Sequence, residues 1–326
     1  MKVSITNVLR WVIAAVMLLS LALLVSAPAL AEESQPAVLP LDFTQGGTKP
    51  KEANWTYEGK LPVAYHDSTI DMTVEQGSIT VKVKGKQVKH ETFVIRVRIA
   101  DVSQLRTAVS KDSYSGRGQA KAESIAASKN AVVAMNGDFF KYENDVGYVV
   151  RQGELLRDAT GNRRKRIFDM LLIDSAGDFH IVPSATTKSI EAFVAEHLTP
   201  AGLTVLDTFN LGPAIVLDGK AQDISNTEVA RQGLYQWRYP QQRICIVQAG
   251  HLEYAIVEVY GKTDSSAGLT LQEFAEFVAE QCPDAIVAYN LDGGGSTNLV
   301  VNGKRVCKTP GNREITDILY FASAEE

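Results

Sequence analysis

The stretch Asp292-Gly293-Gly294-Gly295-Ser296-Thr297-Asn298 holds the residues best suited to chemistry. Three successive glycines leave no side chain in a ligand's way and let backbone N–H groups converge into an anion-binding concavity. Asp292 brings a carboxylate to the rim, and Ser296, Thr297 and Asn298 add short hydrogen-bonding groups. No Lys-Ser/Thr closes the glycine run, so this is not a P-loop. Ser296 does not stand in the Gly-x-Ser-x-Gly turn of an esterase nucleophile. His66, His90, His180, His197 and His251 show no i,i+4 pairing, which leaves a serine–histidine triad or a zinc site without support. Carboxylates are therefore the candidate catalytic groups, and the loop predicts a site for an anionic or polar ligand. The bland alternative is a flexible turn between two strands.

A second polar turn, Asn136-Gly137-Asp138, is followed by Phe139-Phe140. Two passages match around it. Ala131-Val132-Val133-Ala134-Met135-Asn136-Gly137-Asp138 can be laid on Ala285-Ile286-Val287-Ala288-Tyr289-Asn290-Leu291-Asp292. Each runs from a buried-type strand into Asn-x-Asp, residues that disfavour strands and suit turns. In α/β sheets the carboxyl ends of strands are where ligand crevices open. The match predicts Asn136, Asp138, Asn290 and Asp292 around one pocket.

The elements that must position these residues are legible in the hydrophobic rhythm. Ile79 to Val83 and Phe93 to Ile99 alternate on either side of the Gly85-Lys86 turn. Residues 119–129 predict a helix leading into the strand at 131–135. Hairpins are expected around Ala176-Gly177, Ala249-Gly250 and Asn302-Gly303. A short helix is expected over Ile190 to Leu198, with strands at Thr204 to Phe209 and Ala214 to Leu217. Thr270-Leu271-Gln272-Glu273 fits a capping box, and Leu271, Phe274, Ala275, Val278, Ala279 and Cys282 share one helical face before Pro283. A strand then leads to the glycine loop, and Ile315 to Ala322 closes the sheet. The expected fold is α/β (α+β): a single large mixed β-sheet domain with helices packed against it.

The first thirty-one residues have the layout of a secretory signal peptide: Lys2 and Arg10, an apolar run from Trp11 to Val25 broken by Ser20, and Ala29-Leu30-Ala31. The expected organisation is a signal peptide at 1–31, a polar linker at 32–65 and one domain at 66–326. The expected location is extracytoplasmic, with no stable membrane insertion after cleavage; an uncleaved N-terminal anchor is the weaker alternative. Cleavage would change 33 Lys+Arg against 38 Asp+Glu into 31 against 38, a net charge of −7. Such a chain has no electrostatic reason to seek nucleic acid. The Arg163-Arg164-Lys165-Arg166 run reads as a solvated loop or a local anion contact. Cys245, Cys282 and Cys307 exclude a disulfide-dense scaffold and leave room for one bridge, for which Cys282 with Cys307 is suggested. No spacing demands a metal; Asp138 and Asp292 are positioned to share a divalent cation if one is used. Oligomeric state is not legible.

These motifs together resemble the phosphodiester glycosidase family. The matching residues are Asn136-Gly137-Asp138-Phe139-Phe140, Asn210-Leu211-Gly212-Pro213 with Asp218-Gly219, Thr270 to Ala275, Asn290 to Thr297, and Arg313. The resemblance runs over roughly residues 90–322. Two positions depart from the family's pattern: Arg243 is not followed by the usual Thr, and Asp138 replaces a frequent glycine. The resemblance implies hydrolysis of a sugar-1-phosphodiester, GlcNAc-1-phosphodiester among them, on an envelope or extracellular glycan. It implies Asp292 as the carboxylate at the anomeric centre and Asp138 as a second. Gly293, Gly294, Gly295, Ser296 and Thr297, with Arg243 or Arg313, would hold phosphate or sugar oxygens; Asn136, Asn210 and Asn290 would orient the sugar. No organic cofactor is implied. A carbohydrate-binding module without turnover, or an accessory protein of polysaccharide export, are the alternatives.

Overall fold

A computed structural model describes residues 37–83, 85–114, 118–138, 147–159, 168–210, 212–231, 235–261, 268–306 and 313–326. Residues 37–326 form one compact unit. The signal-like segment, Phe139-Phe140, the 163–166 basic run, Leu211 and Cys307 lie outside the described residues.

The chain opens with β1 (Trp55–Glu58), β2 (Leu61–His66), the long pair β3 (Ile70–Val83) and β4 (Lys86–Ile99), and β5 (Leu105–Val109). Helix α1 (Ala122–Ser128) leads into β6 (Ala131–Asn136), as the sequence predicts. Hairpin β7 (Tyr148–Arg151) and β8 (Glu154–Asp158) follows, then β9 (Met170–Asp174), β10 (Phe179–Val182) and α2 (Thr187–Phe193). Next come β11 (Val205–Phe209), β12 (Ala214–Leu217), β13 (Lys220–Ala221) and the single turn α3 (Glu228–Arg231). The last third holds β14 (Arg243–Gly250), β15 (Glu253–Val259), α4 (Leu271–Gln281), β16 (Val287–Asn290), β17 (Leu299–Val301), β18 (Lys304–Arg305) and β19 (Asp317–Ala322). The Thr270 hydroxyl accepts from the Glu273 N–H and the Glu273 carboxylate accepts from the Thr270 N–H, so the predicted capping box starts α4.

The fold is α+β, but the single mixed sheet expected from the sequence is replaced by several antiparallel ones. Among the described residues the largest runs β1-β2-β3-β4-β15-β14-β16-β12-β13, and a second runs β18-β17-β6-β19-β5. Smaller sheets are β10-β9-β11 and β7-β8. Alternation along each strand yields two apolar faces, and this stacks the layers. One face of the nine-stranded sheet (Met72, Ile95, Ile246, Ile256, Tyr289) packs on Val133, Met135, Leu299, Leu319 and Phe321 of the five-stranded sheet. Its other face (Val94, Cys245, Val257) is covered by Leu271, Phe274 and Val278 of α4. The outer face of the five-stranded sheet is covered by Ile125 and Ala126 of α1. A strand covered on both faces reads as an unbroken apolar run, which is why β6 and β16 imitate parallel strands in sequence.

The expected linker at 32–65 is corrected over its described part. β1 and β2 extend the large sheet, and Trp55 and Tyr65 are buried in its core. Upstream, the fully buried Arg106 donates through Nη2 to the carbonyls of Pro40, Asp42 and Gln45. A polar, Pro- and Gly-rich composition here reflects backbone groups satisfied by one arginine, not a tether. Cys245 and Cys282 are buried thiols on either side of the α4 interface, and the bridge suggested for Cys282 involves Cys307, outside the described residues.

Candidate active site

The two strands that resemble each other end at one place although they belong to different sheets. Asn136, the last residue of β6, reaches across with Nδ2 to the carbonyl of Asp292 at 2.8 Å, and its Oδ1 accepts from the Asn298 N–H at 2.9 Å. One side chain thus pins the glycine loop to the facing sheet. The cleft beside it is lined by Gln119, Asn136, Gly137, Asp138, Asp292, Ser296, Arg313 and Asp317, with Glu314 to Thr316 between the last two.

Four carboxylates line this space, the exposed Glu314 and the three aspartates Asp138, Asp292 and Asp317. Burial pushes Asp292 up to about 7, partly offset by the Ser296 hydroxyl and by Arg313. Burial also pushes Asp317 up to about 7, against the pull of Arg151. Asp317 Oδ1 accepts from the Asp138 N–H at 2.9 Å, and its Oδ2 accepts from Arg151 Nη2 at 2.8 Å. Gly137 makes this approach possible: a Cβ there would lie 2.7 Å from the Asp317 carboxyl. Asp138 Oδ2 accepts from Asn210 Nδ2 at 2.8 Å and lies 3.6 Å from Arg151 Nη2. Arg151 is itself wholly buried, stacks on Phe209 at 4.7 Å and donates to the carbonyls of Val150 and Thr208. Asp207, buried behind it, accepts from Thr107 and Gln152. Among the described residues no group of three metal-ligating side chains is arranged to hold an ion.

The cleft therefore gathers Asn136, Asp138, Asp292, Ser296 and Arg313 from the residues singled out in sequence. Others stand behind it. Arg243 spends Nε on the Leu269 carbonyl and Nη2 on those of Gln236 and Tyr239. Burial pulls it down to about 9, with Asp292 opposing; it supports the loop from behind and lines no part of the cleft. Asn290 donates through Nδ2 to the Gly212 carbonyl at 2.9 Å, which ties β16 to the segment before β12. Asn210 holds Asp138 through both its backbone and side-chain N–H groups. Thr297 is buried beneath the loop.

Three N–H groups of the loop are not free to cradle a phosphate. The N–H groups of Gly294, Ser296 and Thr297 already donate to the carbonyls of Gln242, Gly293 and Gly294. What the glycines permit is contact: a Cβ on Gly295 would meet Arg313 Nη2 at 2.9 Å. Arg313 lies flat on the loop and donates through Nη1 to Ser296 Oγ at 3.1 Å.

Asp317 and Arg151 were missed in sequence. Both carried a signal, a charged residue at the end of an otherwise apolar buried strand. Asp317 opens its strand instead of closing it, so a search restricted to carboxyl ends passes it by. Antiparallel pairing puts the start of β19 beside the end of β6, with Ile318 opposite Asn136.

A model of the phosphodiester glycosidase family matches residues 129–322. Among solved structures, the chain is similar to the catalytic domain of zebrafish N-acetylglucosamine-1-phosphodiester alpha-N-acetylglucosaminidase, auto-inhibited by its pro-peptide. Identity is 15%, coverage 82% of this chain and 85% of that one, and the TM-score 0.58. A hypothetical protein from Synechocystis is similar at 16% identity, covering 80% of this chain and 64% of that one, with a TM-score of 0.50. No curated protein matches the sequence.

Proposed function

The chain belongs to the phosphodiester glycosidase family, and we propose that it hydrolyses the bond between a sugar's anomeric carbon and a phosphodiester oxygen. The observation that carries this reading is the charge layout of the cleft. Asp138, Asp292, Asp317 and Glu314 share the lining with Arg313, the one cation among the described lining residues. Arg313 and Ser296 take the phosphate, and Asp292, hydrogen-bonded to Ser296 and beside Arg313, then stands at the adjoining anomeric carbon with the other acids toward the sugar ring.

In that pose the C1–O bond breaks with its electrons leaving on the phosphate, a far better leaving group than an alkoxide. Protonation of the departing oxygen matters less than in glycosidases acting on alcohols, where two carboxyl groups share the work. Asp292, ionised, stabilises positive charge on the ring, and Arg313 the charge growing on phosphate. Asp138, held by Asn210, is the second carboxylate, placed to take a proton from the water that adds to C1. Asn136 fixes the loop that carries Asp292.

We place the reaction outside the cytoplasm, on an envelope or extracellular glycan, because residues 1–31 have the layout of a signal peptide. Among the described residues no helix is long and apolar enough to cross a membrane. N-terminal sequencing of the mature protein should begin at Glu32.

The deciding assay is release of free sugar from a panel of sugar-1-phosphodiesters, GlcNAc-1-phosphodiester included. Asp292→Asn should lose on the order of 10³ in rate or more while remaining folded. Full activity in that variant would overturn the assignment of Asp292. Tight binding without cleavage by the folded wild type would replace the hydrolase with a glycan-binding protein.

A further inference from the structure

Strands β3 and β4 outrun the sheet they belong to. β15 pairs with β4 only from Thr92 to Arg98, and β2 pairs with β3 only from Asp71 to Thr73. Past the Tyr260 N–H, which still donates to the Glu91 carbonyl, Ile79 to Val83 and Lys86 to His90 form backbone ladder pairs with each other alone. Register fixes where this arm points. Thr92 lies opposite Val259, Val259 opposite Arg243, and Asn290 opposite Cys245, two residues further along β14. Asp292 is therefore level with Arg243, and the arm projects from the sheet end that carries the glycine loop. Three strand spacings, about 14 Å, separate β4 from β16.

The arm's charge is one-sided. Lys82, Lys86 and Lys89 are exposed, and the sequence adds Lys84, which lies outside the described residues. No Asp or Glu occurs between Gly77 and Glu91, in a chain of net charge −5. Alternation puts Lys82 and Lys89 on the face continuous with Met72, Val74, Phe93 and Ile95, the side on which the second sheet and the cleft lie. Ile79 and Val81, on the opposite face, pack against the core beneath α4 and anchor the arm. Lysines on open strand edges also discourage edge-to-edge pairing. Lysine is the charge most used for that purpose; what sets this arm apart is its place beside a cleft read as taking a phosphodiester.

We propose that this lysine arm is a docking surface for a polyanionic glycan, so that the substrate is a polymer of sugar phosphates and not a small glycosyl phosphodiester. The inference rests on the hydrolase reading for the identity of the polymer. Phosphates flanking the linkage bound at Arg313 would meet Lys82 and Lys89 along the same side of the molecule, and the contribution is electrostatic and salt-sensitive.

The test compares the wild-type chain with Lys82→Gln/Lys86→Gln/Lys89→Gln, and with the corresponding triple Glu variant, all checked for folding by circular dichroism. Direct binding to a linear poly(glycosyl-1-phosphate) is measured at 50 and 300 mM salt, alongside hydrolysis of that polymer and of a small sugar-1-phosphodiester. The Gln variant is expected to bind the polymer about tenfold more weakly at the lower salt, from two exposed charge contacts on the cleft side and the field that Lys86 adds from the other face, and to lose most of its salt dependence. KM for the polymer should rise by a similar factor, with kcat/KM for the small substrate unchanged. Equal polymer binding by wild type and variants overturns the proposal. So does a loss confined to vesicles of anionic phospholipid, which would make the arm a membrane contact. Arm-dependent polymer binding without sugar release from any substrate would uphold the docking surface and sink the hydrolase reading instead.

Discussion

Asp317 and Asp138 share one cation: Arg151 Nη2 donates to Asp317 Oδ2 at 2.8 Å and lies 3.6 Å from Asp138 Oδ2. Asp317 also accepts from the Asp138 backbone N–H, so the two acids hold each other's position as well as their partner. The floor of the cleft is therefore a buried charged cluster in which each member depends on the rest.

Breaking such a cluster from the cationic side leaves uncompensated buried carboxylates, which costs about 3–5 kcal/mol. Arg151→Met should lose stability on that scale in urea unfolding. The loss should be larger at pH 8 than at pH 5, because Asp317 and Asp207 become neutral more readily once the guanidinium is gone. A loss independent of pH would mean that Arg151 acts through its stacking on Phe209 and not through charge.

The pH dependence of catalysis follows from Asp292. Burial holds its carboxyl up to about 7, and the proposed role needs the ionised form. The free enzyme should therefore gain kcat/KM as pH rises through about 7. Asp292→Asn should remove that limb, and Asp317→Asn should leave it in place. A profile falling through pH 7 would make Asp292 a proton donor instead.

Glu258 offers a test of stability outside the cleft lining. It is fully buried on β15, and neither carboxylate oxygen has a hydrogen-bond partner. Burial, helped by Glu91, raises it from 4.5 to about 8. Below pH 4.5 the group is neutral in both folded and unfolded chains. Between 4.5 and 8 only the unfolded chain releases the proton, so stability falls with rising pH by about 1.4 kcal/mol per unit. Glu258→Gln should match or trail the wild type at pH 4 and gain on it steadily toward pH 8. Parallel stability curves would show that Glu258 is solvated.

Gly295→Ala probes the loop. Its Cβ would stand 2.9 Å from Arg313 Nη2, so the guanidinium must move off Ser296. KM should rise several-fold and thermal stability should change little, since Arg313 is at the mouth of the cleft. An unchanged KM would show that Arg313 does not hold the phosphate.

Most secondary structure was legible from local pattern alone. Alternation marks β3 and β4, the Thr270-to-Glu273 box starts α4, and Asn302-Gly303 turns β17 into β18, because each depends on residues a few positions apart. Of the candidate site, the same local reading found Asn136, Asp138 and Asp292, since polar residues ending an apolar strand stand out without knowledge of the partner strand. Family membership was legible for the same reason: its motifs are short and follow one order along the chain.

Tertiary structure decided the rest. A strand covered on both faces looks the same whether its neighbours are parallel or antiparallel, so the division into stacked antiparallel sheets was invisible. Arg106 had to be seen buried before the polar stretch near Asp42 became part of the fold. Arg243 and Arg313 are equivalent in sequence, and only packing turns the first onto backbone carbonyls and the second into the cleft. Asp317 joined the site because antiparallel pairing sets the first residue of β19 beside the last of β6, a contact between positions about 180 residues apart whose registry no local pattern encodes.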